Sequence, residues 1–200
     1  MGNFRYGQVE MDHLIAQDDL LGASIGRIGP IGREINPDRF ATLVMSIVSQ
    51  QISAKAATTV AGRMETAFGE MTPETLCAAA VEDIQRCGLS MRKAGYIKSL
   101  SEAAALGRLD LAAFSGMTDA EIVRRLVELP GIGAWTAEMF LIFSMERPDV
   151  VSWGDFAIKR GMMNLYGLES LSREQFELYR KRYSPYGSVA SLYLWALSHE

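Results

Sequence analysis

Leu129-Pro130-Gly131-Ile132-Gly133-Ala134-Trp135-Thr136-Ala137 decides how the rest of the chain is read. Ahead of it, Thr118-Asp119-Ala120-Glu121 reads as a capping box, followed by Ile122, Leu126 and Leu129 at helical spacing. Behind it, Trp135, Met139, Ile142 and Phe143 repeat at the same spacing. Two glycines around one aliphatic residue permit a tight turn that exposes backbone amides beside a helix N-terminus. Such amides attract a phosphate oxygen without any charged side chain. Ile132 is expected to plug the space between the two helices. Taken alone, the stretch is equally readable as a plain helical hairpin whose glycines supply positive φ.

Working outward, the same periodicity predicts an all-α chain. Asn36-Pro37 reads as an N-cap with proline in the first turn, ahead of Phe40, Val44, Ile47 and Val48. Ser53 is expected to cap a helix carrying Val60, Met64 and Phe68, with Gly69 as its stop. Thr72-Pro73-Glu74 starts another, and Gly88-Leu89-Ser90 separates it from a helix through Tyr96 and Leu100. Ser172-Arg173-Glu174-Gln175 repeats the capping device before Phe176 and Tyr179. Residues before Gly29 are punctuated by Gly22 and Gly26 and read as a short helix with an extended approach. No segment alternates with period two well enough to predict a strand. The organisation expected is one helical domain over 1–200, with an N-terminal segment at 1–35 and the hairpin at about 118–145, arranged as two lobes flanking a cleft.

At 48% hydrophobic and 22% charged residues the chain has ordinary globular composition, which excludes disorder. Its 200 residues suffice for a core without disulfides or metals. Cys77 and Cys87 could pair, but in a reducing cytoplasm they are read as two free thiols. With only His13 and His199 beside them, they argue against zinc or an iron–sulfur cluster. The start Met1-Gly2-Asn3-Phe4-Arg5-Tyr6 has no apolar run of the signal-peptide kind, and no stretch is long enough to span a bilayer. A cytoplasmic protein is expected. The net charge of −4 argues mildly against nucleic acid, since counterion release rewards Lys and Arg. Arg92, Lys93 and Lys98 cluster, as do Lys159 with Arg160 and Arg180 with Lys181 and Arg182; each group reads first as solvated helix surface.

The ordered set of motifs resembles the helix–hairpin–helix DNA glycosylase superfamily that includes endonuclease III and 3-methyladenine DNA glycosylase II. The likeness runs from about Pro37 to Trp195 through four pieces in order. They are Ser46-Ile47-Val48-Ser49-Gln50-Gln51-Ile52-Ser53, Gly88-Leu89-Ser90-Met91-Arg92-Lys93-Ala94-Gly95-Tyr96-Ile97, the glycine hairpin, and Ser152-Trp153-Gly154-Asp155-Phe156-Ala157-Ile158-Lys159-Arg160-Gly161. In that superfamily an aspartate follows the hairpin glycines by some twenty residues, and Asp155 fills the place. The resemblance makes Asp155 the catalytic carboxylate; from the residues alone it is equally an ordinary N-cap.

Further roles follow from the same resemblance. Relatives with lyase activity carry a lysine two residues after the second hairpin glycine; here that residue is Trp135, which implies a monofunctional enzyme. Tryptophan there resembles the 3-methyladenine glycosylase II branch, in a compact form. Trp135, Tyr186 and Met139 would then wall a base pocket, although core packing is their ordinary reading. Gln51 would fill the gap left by a flipped base, or else simply end a helix. Gly131, Gly133 and Thr136 would contact phosphate. The carbonyls of Val127, Leu129 and Ile132 would hold a monovalent Na+ or K+ with no chemical role, and no other cofactor is expected. Gly187 departs from the family, where arginine is common. The partner implied is double-stranded DNA with damaged bases, bound by a monomer with no membrane contact. The function implied is excision of alkylated purines. A non-catalytic lesion-binding module and a glycosylase for another damaged base are the alternatives.

Overall fold

The computed structural model describes residues 2–200, which form twelve α-helices joined by short turns. In chain order these are β1 (Gly2–Asn3), α1 (Gln8–Gln17), α2 (Asp19–Ile28), β2 (Glu34–Ile35), α3 (Arg39–Ser49), α4 (Ala54–Phe68), α5 (Pro73–Ala78), α6 (Val81–Arg86), α7 (Met91–Ala105), a 3-10 turn (Ala113–Gly116), α8 (Asp119–Val127), α9 (Ala134–Phe143), α10 (Phe156–Tyr166), α11 (Arg173–Tyr183) and α12 (Gly187–Leu197). They divide into two units: Pro37–Phe140, and the segment up to Asn36 together with Leu141–Glu200. The all-helical expectation holds apart from one two-residue antiparallel pairing, Gly2 with Ile35 and Asn3 with Glu34.

Local chemistry sets most helix starts. Ser53, Thr72 and Ser90 each accept a backbone amide from the first turn of α4, α5 and α7, and Thr118 and Ser172 close capping boxes with Glu121 and Gln175. The expected cap at Asn36 is corrected. Asp38 caps α3, its carboxylate accepting the Ala41 amide at 2.9 Å, while the Asn36 amide donates to the Phe143 carbonyl at 2.9 Å. Pro37 holds the residue before it extended, so the chain turns helical only beyond it. The N-terminal segment also departs from expectation, forming two ten-residue helices. Gly22 is a packing residue inside α2 rather than a break, since a Cβ there would lie 3.0 Å from the Ile15 Cα.

In the unit Pro37–Phe140, α7 packs against α3, α5 and α6, and α3 also packs on α4. Leu43, Val44, Ile47, Leu76, Ile84 and Ile97 are fully buried there, each removing about 1.5–3 kcal/mol worth of apolar surface from water. In the other unit α10 lies directly on α12. A Cβ on Gly161 would come 1.9 Å from the Leu194 carbonyl oxygen, so any other residue would push the helices apart. The far end of α10 is tied down as well. The Tyr166 hydroxyl donates to buried Asp18 at 2.6 Å and pairs with the Tyr183 hydroxyl at 2.8 Å, while Arg182 reaches Asp18 at 3.1 Å. A buried carboxylate needs such partners. Burial pushes both phenols well above their ordinary range. The helix that begins beside Asp155 is therefore held in place along its length.

Candidate active site and nucleic-acid interface

Between α8 and α9 the chain turns through Gly131 at φ +86°, and Ile132 is buried as expected. The glycines prove unequal. A Cβ on Gly131 would lie 2.3 Å from the Tyr96 ring, so the fold itself demands glycine there. Gly133 has ordinary φ, and a Cβ would meet no atom within 4 Å among the described residues. Nothing inside the chain requires its small size. The Gly133 carbonyl takes the Ala137 amide at 3.0 Å, which places Ala134 and Thr136 in the first turn, where helix amides lack internal acceptors. Thr136 is buried, so its hydroxyl is not presented at the surface.

The loop between α3 and α4 is fastened to this turn. The Gln50 side-chain amide donates to the Gly131 carbonyl at 2.7 Å. Lys93 donates to the Val48 carbonyl at 2.8 Å and to the Gln50 carbonyl, closing the open end of α3. Burial first, then neighbouring Arg92, lowers the Lys93 pKa from its ordinary value. Next to this clamp Gln51 is exposed at φ +56°, a conformation that costs a non-glycine residue about 1–2 kcal/mol. Backbone strain of this kind gathers at working sites. The reading of Lys93 and Lys98 as solvated surface is corrected: Lys98 likewise caps the carbonyls of Cys77 and Ala79 at the end of α5. Sequence reading missed Gln50, Lys93 as a clamp, and Tyr96 beneath the turn.

In the other unit Asp155 is the N-cap of α10 and only 7% exposed. Its Oδ1 accepts the amides of Ala157 and Ile158, both at 2.9 Å. A carboxylate held in this way has its orientation set by the backbone. An N-cap carboxylate only accepts hydrogen bonds and is not consumed by them, so the two roles considered for Asp155 are compatible.

The three expected pocket walls differ in setting. Trp135 stands in the first turn of α9 and is 47% exposed, unusual for a side chain of core type. Met139, one turn on, is buried. Tyr186 is half-buried and meets His13 edge to face, with centroids 5.2 Å apart. The absence of arginine at Gly187 has a physical cause. Its amide donates to Asp149 Oδ1 at 3.1 Å, and a Cβ would lie 2.6 Å from that oxygen. Cys77 and Cys87 are free thiols. Among the described residues no group of three or more His, Cys, Asp or Glu could hold a metal, and no helix is long and apolar enough to cross a membrane.

A carboxylate at one helix start and a glycine turn at another define a helical protein of the helix–hairpin–helix class. The chain belongs to the HhH-GPD superfamily of base excision DNA repair proteins, whose family model matches residues 44–185. It is similar to DNA-3-methyladenine glycosylase 1 of Schizosaccharomyces pombe, 30% identical over 87% of this chain and 78% of that protein. It resembles the crystal structure of a DNA-3-methyladenine glycosidase from Bacillus halodurans at TM-score 0.89 and 37% identity, over 99% of this chain and 93% of that one. It also resembles the S. pombe 3-methyladenine DNA glycosylase in complex with abasic DNA, at TM-score 0.80 and 28% identity over 94% and 95% of the two chains.

Proposed function

We propose that this protein is a monofunctional DNA glycosylase that releases alkylated purines, of the 3-methyladenine and 7-methylguanine kind, from damaged double-stranded DNA in base excision repair. The observation that carries this reading is Asp155, buried and fixed by two backbone amides at the head of α10. The named relatives support the substrate class, and abasic DNA is the product such a reaction leaves. The protein acts as a monomer in the cytoplasm, with the chromosome.

Extruding the nucleotide costs a few kcal/mol and is cheapest for damaged pairs. As the C1′–N bond breaks, its electron pair leaves with the base and positive charge builds on the sugar. Asp155 opposes that charge, and it takes a proton as the oxygen of a water molecule bonds to C1′. A purine alkylated at N3 or N7 already carries positive charge and departs neutral, so no strong general acid is needed. The exposed face of Trp135 suits stacking of such a cation, with Met139 one helical turn further on. Gln51 fills the vacated space in the duplex. The amides of Gly131, Gly133 and Thr136 take phosphate oxygens.

The carbonyls of Val127, Leu129 and Ile132 are the groups that would hold a monovalent cation. They are neutral donors in one turn, and the Leu129 oxygen already accepts the Ile132 amide at 3.1 Å. Na+ or K+ held there would add positive charge beside the turn and would take no part in bond cleavage. Trp135 brings no amine where lyase relatives carry lysine, so no imine forms at that position.

Asp155→Asn tests the mechanism, because asparagine keeps the capping oxygen and removes the charge. Release of 7-methylguanine from methylated duplex should fall by about 10³-fold or more, with binding to abasic duplex retained. Near-normal release by that variant would falsify the reading. Wild-type protein that binds lesions yet releases no base from any damaged duplex would instead be a non-catalytic module. Borohydride should trap no protein on DNA, and a covalent adduct would remove the monofunctional claim.

A further inference from the structure

Beside the first turns of α10 lies a groove of about 710 Å³ that base release does not use. Phe156, Lys159, Arg160 and Met163 line it from one face of the helix, at positions i, i+3, i+4 and i+7, with Trp153 and Leu171 completing the wall. On a folded protein the apolar members of such a face are ordinarily covered. Here Phe156 is 84% exposed. Its ring is not idle, for the Lys159 ammonium sits 4.6 Å from the Phe156 centroid and 4.8 Å from that of Trp153. The Arg173 guanidinium lies 5.2 Å from the same Trp153 ring, which is braced from behind by Phe176. Two cations, Lys159 and Arg173, thus meet two aromatic rings, with Arg160 lining the same groove, against one lining carboxylate, Glu169, and Glu177, which pairs with Arg173 at 3.0 Å.

Aromatic faces interleaved with fixed cations are the chemistry that a nucleic-acid strand selects: rings for bases and sugars, ammonium and guanidinium groups for phosphates. The chain carries a net charge of −4, so a local cationic excess of this kind stands out from the average surface. The groove also begins next to the reaction. Phe156 follows Asp155 directly, and consecutive Cα atoms are about 3.8 Å apart. If the carboxylate faces the deoxyribose being attacked, the helix that carries the exposed ring starts beside that nucleotide.

We propose that this groove holds the strand carrying the target nucleotide, on one side of the nucleotide being cleaved. Lys159 and Arg160 contact successive phosphates, and Phe156 packs on the neighbouring sugar or base. The inference rests on the glycosylase reading of Asp155. It adds a second grip on DNA, in a different unit of the chain from the glycine hairpin and made of side chains rather than backbone.

The test compares the full-length protein with Phe156→Ala and with the double variant Lys159→Gln/Arg160→Gln. Affinity is measured for a duplex bearing a tetrahydrofuran abasic analogue across a range of salt. Phe156→Ala, at an exposed helix position, should leave Tm unchanged and weaken binding about 5–50-fold. The double variant should flatten the slope of log K against log salt by about 2. Shortening the duplex on one side of the lesion should weaken the wild type more than either variant, since each variant has already lost part of the grip on that arm. If both variants bind like the wild type with the same slope, the groove serves something other than DNA and the inference fails. The glycosylase reading would still stand if Asp155→Asn binds the analogue and releases no base. Base release by Asp155→Asn would instead bring down both.

Discussion

The hairpin turn and the head of α10 both place backbone amides at a helix N-terminus, and they use them in opposite ways. At α10 the amides of Ala157 and Ile158 are taken by the chain's own Asp155. At α9 the residue in the equivalent place is Gly133, which has no side chain to offer. One helix start fills its own anion site and so orients a carboxylate; the other leaves room for an anion from outside. In the function proposed above, the same electrostatics would serve chemistry in one unit and holding in the other. This also explains how a chain of net charge −4 can grip a polyanion, since backbone donors do not count in the charge total.

The sharpest way to break the comparison is to overfill the turn. Gly131→Ala puts a methyl against the Tyr96 ring at a left-handed φ and should destabilise the protein by about 2–4 kcal/mol, read by thermal or urea denaturation. Gly133→Asp makes the hairpin resemble α10, with its own anion on the α9 amides. Stability should be unchanged or rise by about 0.5–1 kcal/mol, while affinity for abasic duplex drops tenfold or more. Equal affinity would show that those amides do not meet phosphate. Lys93→Met removes two bonds from a charged donor to the end of α3 and should cost about 1–3 kcal/mol in the same denaturation assay. The smallest change is Gln51→Gly, which relieves a left-handed backbone. It should gain up to about 1 kcal/mol of stability and slow base release from duplex, the opposite signs marking a residue kept for work rather than folding.

What was legible in the sequence was whatever is local. The capping boxes at Thr118 and Ser172, the caps at Ser53 and Asp155 and the stop at Gly69 each depend on residues within one turn, and all appear as expected. The family pattern likewise led to Asp155 and the hairpin. Distant partnerships were invisible. Lys93 and Lys98 look like solvated charges until their carbonyl partners, 45 and 21 residues away for Val48 and Cys77, are in view. Gly22 reads as punctuation because a packing glycine and a breaking glycine have the same letter. The unequal demands on Gly131 and Gly133 depend on Tyr96, which no spacing rule connects to the turn. Nor does periodicity reveal that Phe156 stays uncovered, since the pattern that exposes it would equally well bury it.

The tether from Gln50 to Gly131 has a bearing on speed. A repair protein meets vastly more sound base pairs than damaged ones, and each encounter should be brief. A probe that had to order itself at every step would give up about 1–2 kcal/mol of backbone freedom per residue on each inspection. In the role proposed for it above, Gln51, set in its left-handed conformation beside an anchored neighbour, would be shaped before contact. The pace of inspection then falls to the duplex, and the pairs that yield first are those whose stacking the lesion has weakened.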